Sequence, residues 1–384
     1  MALRTWPSRA IVPILRALRG GTQAAKDAWP FEAIPPDPEN SRKRHSMKLL
    51  GLALSALLVL TVGTRAHAGT TFDAVKKRGL VQCGVSTNLP GFAFTDSKGE
   101  WQGIDVDTCR AIAAAMFGDA TKFRVVPLTT QARFTALQSG EIDVLTRNTT
   151  QTLTRDTTLG LIGVGVNYYD SQGIMVTKDS NVTSAKKLAG ATICVLPGTT
   201  TELNLADWFR GLKMEFKPVL LDTVDEIKRA FMSGRCDGIT LDKSQLALAR
   251  INLGSTDKYV ILPEPLSKEP LGPMVRQGDE AWFNVVRWSL NAMLEAEEYG
   301  LSSKNVDEAL KNPAPHIQRI LGTVPGMGKA LGVDDKWAYR IIKQVGNYGE
   351  VFDRSVGAGS PMKLERGLNA LYTKGGLMYG WPIR

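Results

Sequence analysis

The sequence predicts an α/β chain of two lobes, each a mainly parallel sheet flanked by helices, joined by a hinge that the backbone crosses twice. Three observations predict it. From residue 80 onward, short apolar runs alternate with helical patterns that carry their own start and stop signals. Ser-Gly-x-x-Asp stands at 139–143 and again at 233–237, inside two similar strand–loop–helix series. Residues 160–176 and 258–272 are extended, rich in Gly or Pro, and without helical punctuation, so each reads as a crossing.

The first 68 residues read as an address and not as fold. From Met47 the chain has a basic start (Lys48), an apolar stretch over 49–63 and an A-x-A cleavage site at Ala66-His67-Ala68. An apolar core of about 15 residues is short for a span, which needs ~20. Residues 47–68 are therefore expected to be a secretory signal, and 1–46 an extension that is not necessarily translated, because Met47 already opens a complete signal. The residue after the cut is Gly69 and not cysteine, so no lipid anchor is expected there. The rest divides into a discontinuous first lobe, 69–165 with 262–384, and a second lobe, 166–261.

Charge points the same way. The formal net charge of +9 is concentrated in the leader: residues 1–68 hold ten Lys or Arg against four Asp or Glu, leaving 37 against 34 beyond it. No basic stripe with interleaved aromatics survives in the body, which argues against nucleic acid. An exported, oxidising compartment suits the four cysteines, all beyond residue 68. Four cysteines allow three pairings. Cys83–Cys109 with Cys194–Cys236 is favoured because each pair then stays within one lobe, against the plainer reading of four buried thiols. With one histidine (His316) beyond the leader and no CxxC, a zinc site is not expected.

The elements follow in order. LVQCGV (80–85) is a strand running into the loop STNLPGF (86–92). Residues 104–119 form a helix with acids in its first turn, apolar positions at Val106, Ile112, Ala113 and Met116, and Gly118 beyond its end. FRVVPL (123–128) is a strand, 133–140 a short helix closing on Gly140, and IDVLT a strand. The pattern recurs with the strand in 191–200, the helix in 223–234 with a Thr223/Glu226 capping box, and the strand in CDGITLD. Residues 279–300 carry apolar side chains at 282, 283, 286, 290, 293 and 294, spaced for one buried face. The Gly-rich C-terminal region is only loosely assigned; Trp282, Trp288 and Trp337 are expected to pack.

Ligands of open α/β sheets bind beyond the carboxyl ends of strands. Four loops occupy such ends: 86–92, TRNTTQTLTR (146–155), PGTT (197–200) and LDKS (241–244). They offer arginine, threonine hydroxyls, backbone N–H groups near a helix start, and Asp242. An arginine fork matches a carboxylate, hydroxyls and helix N-terminal amides add donors, and an aspartate accepts from an ammonium. Such a cleft fits an α-amino acid.

These residues resemble the polar-amino-acid family of periplasmic solute-binding proteins that serve ABC transporters. GVSTNLPGF, Gly103-Ile104-Asp105-Val106-Asp107, SGEIDVL…TLTR, VLPGTT and SGRCDGITLD carry the resemblance, in order, over about 72–300. NYGEVFDRSVG and RGLNALYTKGGLMYG look more like the general L-amino-acid-binding branch. The resemblance implies the periplasmic-binding-protein fold, closure around the ligand, delivery to an inner-membrane ABC permease, a periplasmic location and no cofactor; a monomer is expected. It places Arg155 on the α-carboxylate with Asn148 and Thr150, donors at Thr200 and the Gly198-Thr199 backbone, and Asp242 on the α-ammonium. Ser86, Leu89 and Phe134 would line the side-chain pocket. Relatives dedicated to basic amino acids carry an acid near Ser86 and an aromatic near Leu89; their absence here implies broad specificity. Arg147 competes with Arg155 for the clamp, one of the two being expected at the surface. Asp143 and Asp237 read as turn formers, and Phe134 has nearly equal claim to the core.

An enzyme, a dehydratase or hydrolase on the same fold, is the rival class, and a sensory receptor component is a third. GTVPGMGKA (322–330) misses the P-loop spacing by one residue and lacks its Ser/Thr, and neither G-x-S-x-G nor H-E-x-x-H occurs. Catalysis is not expected.

Overall fold

The computed structural model describes residues 71–384 apart from Ser255. The expected extension (1–46) and signal (47–68) lie outside the described residues.

Two five-stranded sheets organise the chain, and β2 (Phe94–Thr95) pairs with β3 (Trp101–Gln102) in a separate two-stranded sheet. The first contains β1 (Val81–Ser86), β4 (Phe123–Leu128), β5 (Val144–Leu145), β6 (Leu161–Gly163) and β14 (Met274–Arg276), in the order β4-β1-β5-β14-β6. The second contains β8 (Gln172–Thr177), β9 (Thr192–Val195), β10 (Lys217–Leu220), β11 (Gly238–Asp242) and β12 (Tyr259–Ile261), in the order β10-β9-β11-β8-β12. In each, three neighbouring strands run parallel, one strand (β14 or β8) runs against them, and the edge strand beyond it (β6 or β12) returns to the common direction. The fold is the two-lobed periplasmic-binding-protein architecture.

The repeated Ser-Gly-x-x-Asp does the same job twice. Asp143 donates its backbone N–H to Gln82 O at 2.9 Å, and its carboxylate accepts from the Gln82 N–H at 2.7 Å. Asp237 is joined to Thr192 in the same way, again at 2.7 Å. Each aspartate thereby pins the strand after a helix (β5 or β11) to the start of its parallel neighbour (β1 or β9), as a turn former should. The cysteines follow the same symmetry: Cys83–Cys109 and Cys194–Cys236 are joined, tying β1 to the helix Ile104–Phe117 and β9 to the residues just before β11.

Local signals and structure agree closely. The helix Ile104–Phe117 ends at Gly118, and Ala132–Ser139 ends at Gly140, both glycines being left-handed. The helix Val224–Met232 begins with the complete Thr223/Glu226 capping box. Gly103 is required where it stands: at φ 116° a Cβ would lie 2.3 Å from the Phe92 carbonyl. That contact seats the helix start under the 86–92 loop, through Ile104 N–H to Gly91 O and Asp105 N–H to Phe92 O, each 3.0 Å.

The backbone passes between the sheets in two extended segments, which pair as β7 (Tyr168–Asp170) and β13 (Glu269–Leu271). A Cβ on Gly272 would fall 1.9 Å from the Gly165 carbonyl, so the crossings touch backbone to backbone. Apolar cores cover both sheets; that of the first includes Val81, Cys83, Val106, Ile112, Val286 and Trp282, whose indole N–H donates to Asp143 O at 2.9 Å. Trp337 is buried and Trp288 partly so. The C-terminal helices pack on the helices of the first sheet, and the chain then returns to the crossing, where the Asn369 amide makes two hydrogen bonds to the Tyr169 backbone.

Candidate functional site

A cavity of about 420 Å³ lies between the carboxyl ends of the strands of the two sheets. Ser86, which ends β1, and Leu89 beyond it form one side; Asn148, Thr150 and Arg155 follow β5; Thr199 and Thr200 follow β9; Asp242 ends β11. Eight of the ten positions singled out for ligand contact thus converge on one space. The other two do not line it. Phe134 lies under the wall, its ring 5.0 Å from the Arg155 guanidinium carbon, where it carries the arginine. Gly198 is left-handed at φ 69° and its N–H is taken by the Glu202 carboxylate at 2.8 Å, so it serves the helix start.

One expectation is corrected outright. Neither Arg147 nor Arg155 is a surface residue: they are 8% and 7% exposed, and both line the cavity. Arg147 is fixed to the frame by the Leu128 carbonyl at 3.0 Å and the Thr130 hydroxyl at 3.2 Å. Arg155 donates to the carbonyl of Thr150. Burial pulls both guanidinium groups down to about 10, and Asp105 beside Arg147, and Glu269 and Asp242 near Arg155, work against that pull. Both stay cationic at neutral pH.

Local geometry explains the donors. Asn148 occupies the left-handed region at φ 29°, and its N–H is held by the buried Asp105 carboxylate at 2.9 Å. Burial raises Asp105 to about 6 despite that bond. Thr199 caps the helix Thr200–Gly211, its hydroxyl accepting from Glu202 N–H at 3.1 Å and donating to Leu196 O at 2.7 Å. Its side chain is therefore committed to the backbone.

Four groups escaped the sequence reading. Arg133 lines the cavity and is 4% exposed. Glu269, on β13, accepts from Thr150, from Thr200 at 3.0 Å, from Asn204 at 2.8 Å and from Ser267. Asp170 accepts from the Ser171 N–H and, at 3.4 Å, the Ser244 N–H. Gln245 donates to Asp242 at 3.0 Å. Burial, with the Asp170 and Glu269 charges added, pushes Asp242 well above the usual carboxylate range; Asp170 rises to about 6, again mainly by burial. The helical spacing of Arg133 carried no signal of its destination. Glu269 had little more, since its crossing also carries Glu264, Lys258 and Lys268.

The arrangement is a polar cavity with guanidinium groups on one wall and a buried carboxylate on the other. It suits a small molecule that carries both signs of charge. Residues 81–305 match the model of the bacterial extracellular solute-binding proteins, family 3. The chain is 52% identical over 337 or more residues to relatives of nearly full length. It therefore belongs to the bacterial extracellular solute-binding proteins of family 3.

Particular relatives sharpen the comparison. The general L-amino acid-binding periplasmic protein AapJ of Rhizobium johnstonii is 52% identical over 339 residues, 88% of this chain and 99% of that one. The glutamate/glutamine/aspartate/asparagine-binding protein BztA of Rhodobacter capsulatus is 51% identical over 330 residues, 86% of this chain and 97% of that one. Among solved structures, an ABC transporter periplasmic binding protein from Brucella ovis with glutathione bound is 54% identical, with TM-score 0.80, covering 82% of this chain and all of that one.

Proposed function

We propose that this protein binds L-amino acids in the periplasm and delivers them to an ABC transporter permease for uptake. The observation that carries the reading is the opposition of Arg155 and Asp242, both buried, on walls built from different sheets around one cavity. Arg155 takes the α-carboxylate, and Asp242 takes the α-ammonium. Asn148, Thr150, Thr199 and Thr200 surround the same end of the ligand, while Ser86 and Leu89 face its side chain. The names of AapJ and BztA support amino acids as the ligand class.

The mechanism is hinge closure. The first lobe (69–165 with 262–384) captures the ligand, the second (166–261) swings over it, and the closed form docks on the permease as a monomer. The ligand shifts the open–closed balance by its differential affinity for the closed form. No catalytic role is assigned; the relatives are solute-binding proteins, and Asp242 holds a charge instead of moving a proton. The glutathione in the Brucella ovis structure favours a second reading, a γ-glutamyl peptide whose glutamyl end fills the same clamp.

The test is a thermal-shift panel on protein unfolded and refolded to strip carried-over ligand, against the L-amino acids, glutathione, sugars and organic acids. A ligand at ~100 times its Kd adds about 2.7 kcal/mol, a readable shift. Stabilisation by L-amino acids is expected; stabilisation by sugars alone would overturn the reading.

A further inference from the structure

The lining of the cavity is unbalanced. Three buried arginines, Arg133, Arg147 and Arg155, share it with one buried carboxylate, Asp242, while Lys228 and Arg229 stand at the rim. None of the three makes an ion pair among the described residues. The nearby buried acids are committed elsewhere: Asp105 to Asn148 and Asn167, Glu269 to Thr150, Thr200, Asn204 and Ser267, and Asp170 to Ser171 and Ser244. At the rim, Asp222 takes the Gln131 side chain, Glu226 caps its own helix, and Asp225 pairs with Lys228.

Arg133 is the extreme case. Among the described residues its side chain makes no hydrogen bond, and its Nε is buried without a partner. Its guanidinium carbon sits 4.6 Å from the centroid of Phe134, the ring that also carries Arg155. The two cations thus share one aromatic platform and face one cavity. A ring contact does not by itself offset the burial of a bare guanidinium. An α-amino acid with a neutral side chain uses Arg155 and Asp242 and leaves Arg133 unpaired.

We propose that Arg133 is a specificity-determining residue that holds a second carboxylate of the ligand, so that the cleft selects acidic α-amino acids or their γ-glutamyl derivatives over neutral amino acids. Arg147, anchored to Leu128 and Thr130, adds positive potential at the same wall. This inference rests on the amino-acid reading of the cavity and narrows its breadth. The shared chemistry is an α-amino acid end plus one further carboxylate, carried either by a short side chain or by a peptide extension.

The test is titration calorimetry on stripped wild-type protein and on Arg133→Met and Arg133→Lys, with L-glutamate, L-glutamine and glutathione, and a melting curve for each ligand-free protein. Wild type is expected to prefer glutamate or glutathione to glutamine by at least about tenfold, and the better of the two identifies the source of the second carboxylate. Arg133→Met is expected to lose about 100-fold or more on that ligand, to keep glutamine within about threefold, and to melt no lower than wild type, because an unpaired buried charge has been removed. Arg133→Lys should recover part of the loss. If glutamate and glutamine bind wild type equally, or Arg133→Met weakens both alike or neither, the proposal fails while the amino-acid reading stands. If wild type binds none of the three ligands nor any other L-amino acid, both fall together.

Discussion

The hydroxyls of Thr150 and Thr200 stand 3.3 Å apart, one from the loop after β5 and the other from the helix start after β9, and both donate to the carboxylate of Glu269. One crossing residue therefore ties the two lobes together. Loop 149–151 is laid against β13 by Gln151 N–H to Pro270 O and Gly272 N–H to Thr149 O, which places Thr150 beside Glu269. Of these hydrogen bonds, those of Thr200 run from one lobe to the other, so they are the ones closure is expected to make. Glu269→Gln should disfavour the closed form. Hydrogen bonds to a charged group contribute ~1.5–3 kcal/mol, so ligand affinity is expected to fall roughly 10- to 100-fold. Calorimetry, with small-angle scattering of the liganded form, checks this; unchanged affinity would deny Glu269 the role.

Arg155→Met and Asp242→Asn should each weaken amino-acid binding by at least about 100-fold, because each leaves one charge of the ligand buried and unpaired. Neither should unfold the protein, and Asp242→Asn should raise the ligand-free melting temperature. Near-normal titration of either variant would remove that residue from the clamp.

Affinity should fall with pH. Asp242 is held well above the ordinary carboxylate range, so acidification protonates it before other acids and removes the acceptor for the ammonium. Ligand-free stability should move the opposite way. Asp105 and Asp170 rise from 3.8 to about 6 in the fold, so between about 4 and 6 the folded state binds more protons than the unfolded one. Stability then increases as pH falls through that window, by up to about 1.4 kcal/mol per pH unit for each group. Calorimetry in buffers of different ionisation enthalpy should show proton release on binding near pH 6. A pH-independent Kd, or a melting temperature that drops from pH 7 to 5, would contradict this.

Replacing each cysteine pair by serine should be costly. The linked residues are 26 and 42 positions apart, and the chain-entropy estimate gives about 3.5 and 4 kcal/mol for loops of that length. Denaturant unfolding of the two double variants measures it. A loss below about 1 kcal/mol for either pair would show that the bridge adds little beyond the packing around it.

Much of this was written locally in the sequence. Caps and stops such as Thr223 with Glu226, Gly118 and Gly140 act within one turn, so the residues themselves state where helices begin and end. Strand-end loops gather by topology, which is why Ser86, Thr150, Thr200 and Asp242 were legible as neighbours although they are far apart in the chain. Arg133 and Glu269 were not legible, because long-range packing decides where their side chains go. Arg133 opens a helix whose direction depends on how β4 ends, and Glu269 depends on the pairing of β13 with the 149–151 loop. That Arg147 joins Arg155 at the cavity, where one of the two was expected at the surface, was illegible for the same kind of reason: its anchors, Leu128 and Thr130, belong to another strand and its following loop. The C-terminal region gave weak periodicity because its helices are short and its last segment is fixed by Asn369 on the Tyr169 backbone, a contact 200 positions away.

The central claim is that the cavity reads both charges of an α-amino acid. The most direct measurement is calorimetric titration of stripped protein with the tightest L-amino acid of the panel, beside its counterparts lacking the α-amine or the α-carboxylate. The account predicts that each deletion costs about 100-fold or more in affinity. Equal binding of either deleted counterpart would contradict it.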